Sequence, residues 1–319
     1  MNLKKLLPIV GVVIFFYILS TLNIGKILAV FSSLNPWYVL VSFGSIIPII
    51  LLVNVEWHLI LRKHGIRVGF SYSLKNIFIG YFYGFVTPGG FGGYTRALYL
   101  KDESGASLRK CIVDILLFNT VDYLSLLCFG VAGGFMLGNR VPGVFPVIVV
   151  LFLVFLSVTV VLIRKDLGRR LIHWVFQARL LAALREKWLN HVDALYAELP
   201  RVKDLVLPFC LSLVGWWLWF SILYLVAPWF MIQVPYLWFL MIVAVANVIA
   251  SVPISIYGLG TREAALIGLL SLFGVARENV IGFSLFWFVL SWLLPSIVGA
   301  VVTFVESKRH VVGGKARSA

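Results

Sequence analysis

The sequence predicts an all-α, polytopic integral membrane protein of about six full spans plus two re-entrant or broken helical hairpins arranged as an inverted repeat. Three observations lead there. Hydrophobic residues make up 61% of the 319 and charged residues only 13%, whereas a soluble domain is about half apolar and a quarter charged. Apolar runs of membrane-crossing length, about 20 residues, tile nearly the whole chain. Two further apolar stretches are each interrupted by a glycine-rich segment. One reads Thr87-Pro88-Gly89-Gly90-Phe91-Gly92-Gly93-Tyr94-Thr95-Arg96-Ala97, the other Pro253-Ile254-Ser255-Ile256-Tyr257-Gly258-Leu259-Gly260-Thr261-Arg262-Glu263-Ala264.

The uninterrupted runs fall at 6–23, 37–61, 109–138, 142–163, 204–227 and 279–305. The first follows Lys4 and Lys5 without a small-residue cleavage signal, so it reads as a retained span. The interrupted stretches, 72–95 and 237–273, are different. Proline and glycine at membrane depth free backbone groups that lipid cannot satisfy, so such breaks line a cavity or pack inside protein. Paired breaks in corresponding places of two halves point to a transport site.

Charge sets the sidedness. If both broken stretches enter and leave by the same face, 23 of the 27 Lys and Arg residues lie on one side of the membrane. That side is then cytoplasmic and holds both termini. Lys26, Arg140, Arg262 and Arg277 remain outside. Replacing the second hairpin by two short spans preserves this arrangement. The first hairpin then enters from the cytoplasm and the second from outside, which relates residues 72–138 and 237–305 by inversion. Each hairpin is followed by a glycine-containing link, Ser104-Gly105-Ala106-Ser107 and Phe273-Gly274-Val275-Ala276, and then by a long span. Residues 1–305 form one membrane domain and 306–319 a basic cytoplasmic tail. The 166–199 segment has apolar residues in steps of three and four among Arg169, Arg170, Arg179, Arg185 and Lys187. It reads as a cytoplasmic amphipathic helix or helix pair, lying on headgroups or packed on the protein's own loops.

The net charge of +14 reflects these links and not a nucleic-acid partner. Cys111, Cys128 and Cys210 have no metal-ligand spacing and read as small buried apolar groups.

The first break with its Arg96-Ala97, the Gly105-x-Ser107 link and Asp122 together resemble one family. So do Gly258-Leu259-Gly260-Thr261-Arg262-Glu263-Ala264-Ala265 and the later Leu293-Leu294-Pro295. It is the lysylphosphatidylglycerol synthase-type transmembrane, or flippase-like, family, over about residues 5–305. The resemblance implies movement of aminoacylated or sugar-linked lipids between leaflets of the cell membrane. The aminoacyl-transferring domain of the two-part members has no counterpart in this sequence. Where the family pattern has an acidic–basic pair ahead of Asp122, this chain has Phe118 and Asn119. Where a basic residue often precedes the last proline, it has Phe288. These departures imply a substrate distinct from that of the charged members.

The expected substrate-binding residues are Pro88, Gly89, Gly90, Gly92, Arg96, Asp122, Gly258, Gly260, Arg262 and Glu263. A guanidinium offers a planar donor fork suited to phosphate, and exposed amides at a helix start add positive potential. Arg96 could instead be a loop arginine, and Arg262 and Glu263 an interfacial pair. Sequence neighbours on a helix point apart, so Arg262 and Glu263 are expected to find different partners. Asp122 is expected to pair with a hairpin arginine, or else to make an interhelical hydrogen bond with no part in transport. Asn54, Glu56, His58, Asp114 and Asn247 are the polar residues of a proton or polar relay, or interfacial and helix-contact groups. The eleven tryptophans and twelve tyrosines are mostly membrane-interface residues.

Three function classes remain: a lipid flippase or lipid-linked substrate transporter, an integral membrane enzyme of lipid or lipid-linked glycan synthesis, and an accessory scaffold. No paired histidines, Asp-x-Asp or nucleotide-cradling loop occurs, so no catalysis and no cofactor are expected. The expected partners are phosphate-bearing membrane lipids and a lipid-modifying synthase or glycosyltransferase.

Overall fold

The computed structural model describes residues 34–164, 201–251 and 260–316, with a few scattered positions elsewhere. The expected first span, the 166–199 segment and most of the second glycine-rich break, Gly258 included, lie outside the described residues. Every described element is helical.

Helix α1, Pro36–Lys63, starts at Asn35, whose side chain accepts from the Trp37 amide at 2.9 Å, with Pro36 preset for the first turn. It is followed by α2, Phe70–Phe85, then a tight 3-10 segment, Pro88–Thr95, and the short α3, Arg96–Ser104. Gly105, at φ 70°, ends α3, and the Ser107 hydroxyl caps the long α4, Leu108–Leu137, by accepting from the Lys110 amide. After α4 come α5, Val144–Ile163, and α6, Val206–Val226. The second broken unit comprises α7, Tyr236–Ser251, and α8, Thr261–Ser271. Gly274, at φ 73°, then turns the chain into α9, Arg277–Phe288. A π-helical turn, Val289–Leu293, joins α9 to α10, Leu294–Ala316. Pro295 has no N–H to give the Ser291 carbonyl, which accounts for the widened turn just before it. Helix α10 continues past residue 305 into the basic end of the chain.

Among the described residues, four helical stretches are long and apolar enough to cross a membrane: Val39–Lys63, Leu108–Leu137, Val202–Phe230 and Arg277–Ser307. These are four of the six expected runs, and α5 is the fifth as a shorter apolar helix. Apolar side chains such as Leu40, Ile47, Leu51, Val150 and Val154 are exposed on α1 and α5, as a lipid-facing surface requires.

The broken units behave otherwise. At 1.5 Å per residue, the 16 residues of α2 rise about 24 Å and the 9 of α3 about 13 Å, short of a 30 Å hydrocarbon core. The chain also returns on itself. The Tyr72 hydroxyl donates to the Tyr99 carbonyl at 2.8 Å, Asn76 Nδ2 donates to the Arg96 carbonyl at 2.9 Å, and a Cβ on Gly92 would stand 2.1 Å from the Tyr83 carbonyl oxygen. This ladder makes 70–104 an antiparallel hairpin whose two ends meet. In the second unit the rings of Trp238, early in α7, and Phe273, just past α8, lie 5.7 Å apart, and α7 packs along α8.

The two units interlock. Helix α2, the entry to the first break, packs on α10 at the end of the second unit, and α7, the entry to the second break, packs on α4 of the first. Both crossings rest on glycine. A Cβ at Gly299 would lie 2.1 Å from the Phe78 carbonyl oxygen, and one at Gly133 would lie 2.7 Å from the Met241 carbonyl oxygen. Small residues bring membrane helices into backbone contact, where dispersion replaces the hydrophobic drive that lipid removes.

Candidate functional site

The first break is held open from within. Thr87 Oγ1 accepts from the Gly92 amide at 2.6 Å and donates to the Tyr83 carbonyl at 3.0 Å. Pro88 starts the 3-10 segment, Gly89 lies within it, and Gly90 has φ 74°. This wound loop delivers Arg96 as the first residue of α3, buried at 5% exposure. Gly80 leaves room for its side chain, since a Cβ there would approach Arg96 Cδ to 2.8 Å.

The Arg96 guanidinium stacks between two rings, 4.5 Å from the centroid of Trp57 on α1 and 5.1 Å from that of Phe118 on α4. Among the described residues, no carboxylate comes within 4 Å of it, and the groups acting on it electrostatically are the Tyr81 and Tyr94 phenols. Trp57 is fully buried and its indole Nε1 has no hydrogen-bond acceptor among the described residues. Asn119 Nδ2 donates to the Tyr94 hydroxyl at 3.2 Å, tying the break to α4. A buried cation on an aromatic wall, with no anion of the protein beside it, is an unfilled half of an ion pair. Charges at such depth are usually paired or face a cavity.

The second arginine is arranged differently. Arg262, 1% exposed, lies 4.7 Å from the centroid of the Trp287 ring. Its Nε donates to Ser284 Oγ at 3.1 Å, and its Nη2 to the Glu263 carboxylate and the Ser284 carbonyl, both at 3.4 Å. Ser284 Oγ donates to the same Glu263 oxygen at 2.5 Å, while the other Glu263 oxygen accepts the Gly260 amide and caps α8. The expectation that Arg262 and Glu263 use separate partners is therefore corrected. The Arg262 side chain reaches back along the helix to the carboxylate next to it, and Ser284 clamps both.

Asp122 takes the interhelical hydrogen bond and not the ion pair. It pairs with no arginine among the described residues. It accepts from Ser212 Oγ at 3.4 Å, and its carbonyl accepts from Trp216 Nε1 at 3.2 Å, both from α6. The Tyr81 phenol lies within electrostatic reach of both Asp122 and Arg96, while the Asp122 carboxylate makes no ion pair with Arg96.

Of the relay residues, Asn54 is a structural link: Nδ2 donates to the Phe70 carbonyl at 3.1 Å, and Oδ1 accepts from Ser73 Oγ at 2.8 Å, which fixes the start of α2 to α1. His58 packs edge-on to the Phe70 ring at 5.5 Å. Asp114 pairs with His64 just past the end of α1, in a contact the sequence reading missed. Glu56 is buried beside Trp57. Asn247, half-buried on α7, makes no hydrogen bond among the described residues. Of these residues, Glu56 has Asp122 within electrostatic reach, and Asn54 and Asp114 are held in contacts of their own.

Trp57, Phe118, Trp287 and Ser284 were not singled out by sequence as partners of the arginines. Phe118 alone carried a signal, as a departure from the family pattern. Phe288, the other departure, is buried 6.0 Å from Phe85 in the core beside α2.

Comparison with known proteins agrees with this architecture. The family model described as the lysylphosphatidylglycerol synthase TM region matches residues 6–299, and the chain belongs to that family. A UPF0104 membrane protein of Methanothermobacter thermautotrophicus (strain Delta H) is 21% identical over 284 residues, covering 82% of this chain and 81% of the relative.

Proposed function

We propose that the protein moves a phosphate-bearing lipid between the leaflets of the cell membrane, with Arg96 as the seat of the phosphate. One observation carries this reading: the Arg96 guanidinium is buried on an aromatic wall with no carboxylate partner among the described residues, whereas Arg262 is neutralised by Glu263. At the place where the family pattern carries an acidic residue, this chain presents Phe118 to Arg96. The cation is therefore left for an external anion. A phosphate diester offers the oxygen geometry that a guanidinium fork takes in bidentate fashion. The unpartnered Trp57 indole N–H is a further donor beside the same charge.

The hairpin geometry supports movement and not mere binding. Each broken unit ends where it began, and the two units grip each other crosswise through α2 with α10 and α7 with α4. If they enter from opposite faces, as the charge distribution implies, rocking one pair against the other alternates access to a polar path between them. In this arrangement Arg262, Glu263 and Ser284 brace the second hairpin, and both termini face the cytoplasm. No chemistry on the lipid is required.

Reconstitution tests this. Purified protein in liposomes carrying a trace of headgroup-labelled anionic phospholipid is expected to expose inner-leaflet label to an impermeant quencher, while protein-free liposomes do not. Retention of the label for every phosphate lipid tried, polyprenyl phosphates included, would sink the transport reading. Covalent modification of the lipid in the presence of a donor substrate would point to an enzyme instead.

A further inference from the structure

Glu56 stands seven residues before Lys63 in α1, about 10 Å inside the basic end of that span. It is 3% exposed, and its Oε1 has no hydrogen-bond partner among the described residues. The charged group acting on it is another acid, Asp122, from α4. The remaining surroundings are neutral or committed elsewhere. Helix α6 contributes Ser212 and Trp216, which bond to Asp122. The Tyr81 phenol of α2 lies within electrostatic reach of Asp122, and in the π-helical turn the buried Ser291 hydroxyl also lacks a partner among the described residues. On α1 itself, His58 packs on Phe70, and Arg62 and Lys63 are exposed at the helix end. Arg96 is turned to the Trp57 and Phe118 rings. From α4, Asp114 pairs with His64.

A carboxyl 3% exposed at membrane depth, with an oxygen that no donor meets and another acid, Asp122, as the charged group within electrostatic reach, is costly to ionise. Burial and like charge both favour uptake of a positive ion by Glu56. A bound metal ion would need several oxygen ligands around it. Among the described residues no group of three or more His, Cys, Asp or Glu side chains is placed to hold one, and the oxygens nearby are one hydroxyl-bonded aspartate and scattered hydroxyls. A proton needs only the unpartnered oxygen.

We infer that Glu56 is a proton-binding site within the membrane, its carboxyl carrying the proton in the conformation described and yielding it when the helices around it part and admit water. The site's coupling role rests on the transport reading, whereas its occupancy by a proton does not.

A hydrophobic carbodiimide, dicyclohexylcarbodiimide, tests occupancy on the full chain in detergent. It adds across a protonated carboxyl buried in apolar surroundings, and the adduct rearranges to a stable N-acylurea on the same side chain with no group lost. Mass spectrometry of peptides is expected to find Glu56 modified at about pH 6, with labelling falling by tenfold or more towards about pH 9. Glu56→Gln removes it. Asp122→Asn lifts the repulsion and moves the half-labelling point down by about one pH unit. Absence of labelling at Glu56 in protein that elutes as a single folded species overturns the inference, and so does labelling indifferent to pH. Protection by sodium at fixed pH overturns it in favour of a metal cation. In liposomes, an imposed pH gradient is expected to accelerate lipid movement at least threefold in the wild type and not in Glu56→Gln. Labelling without any lipid movement would refute the transport reading and leave the proton site standing.

Discussion

The Arg96 guanidinium sits 4.5 Å from the centroid of the Trp57 ring, and the Arg262 guanidinium 4.7 Å from that of Trp287. The two arginines follow matching Gly-rich breaks and use matching aromatic supports. They differ in charge balance, since Glu263 and Ser284 close the second pair while the first is left with phenols and an indole. Electrostatics, not the motif, separates a brace from a docking point.

Removing the first cation is expected to stop lipid movement. A hydrogen bond between charged groups contributes about 1.5–3 kcal/mol, and 1.4 kcal/mol is a factor of about ten, so Arg96→Ala, which removes the proposed donor to the phosphate, should slow leaflet exchange at least tenfold. Arg96→Lys keeps the charge without the planar fork and should recover part of the rate. A wild-type exchange rate in Arg96→Ala liposomes would refute the assignment.

Neutralising the same cation in place offers a second route. Phe118→Asp puts a carboxylate where a ring now lies 5.1 Å from the guanidinium. The protein should fold, because the new acid finds a buried cation, yet labelled anionic lipid should exchange several-fold more slowly. Undiminished exchange, with the folded fraction checked by gel filtration, would show that Arg96 does not receive the lipid's phosphate.

The second arginine should matter for folding. Arg262→Ala leaves the Glu263 carboxylate without its cation at a mostly buried position, a class of change that costs about 3–5 kcal/mol. Loss of monodisperse protein, or a thermal midpoint lowered by many degrees in detergent, is expected. Arg262→Met combined with Glu263→Gln should regain much of that stability. An Arg262→Ala protein as heat-stable as the wild type would contradict the bracing role.

Glycine substitutions discriminate the crossings. Gly299→Ala forces a Cβ to 2.1 Å from the Phe78 carbonyl oxygen, so α2 and α10 must separate. Overpacking of this kind costs about 1–3 kcal/mol or more. Gly268→Ala, on α8 with nothing within 4 Å of the added Cβ, should instead be neutral or stabilising by up to about 1 kcal/mol. Equal midpoints for the two variants would rule out the close approach as the support of that crossing.

Much of this fold was legible beforehand because lipid imposes simple rules. The runs at 37–61, 109–138, 204–227 and 279–305 correspond to α1, α4, α6 and the α9–α10 stretch within a few residues. Hydrophobic length alone decides such helices. The breaks were visible because glycine and proline cannot sit unexplained in an apolar run, and the Gly105 and Gly274 turns because each needs positive φ. The pairing of polar groups was not legible. Nothing local to Asp114 points to His64, fifty residues earlier. Lys75 and Glu306, 2.7 Å apart, come from opposite ends of the chain.

By itself, then, the sequence determined a membrane-embedded helical chain and the location of its two breaks, since each follows from composition and spacing along one dimension, and its motifs carried the resemblance to its family. Tertiary structure decided which arginine is neutralised, that Asp122 bonds to Ser212 and not to a cation, and that α2 meets α10 while α7 meets α4. Those outcomes depend on which distant side chains share a few ångströms of low-dielectric space, where one carboxylate more or less reverses what a buried charge can do.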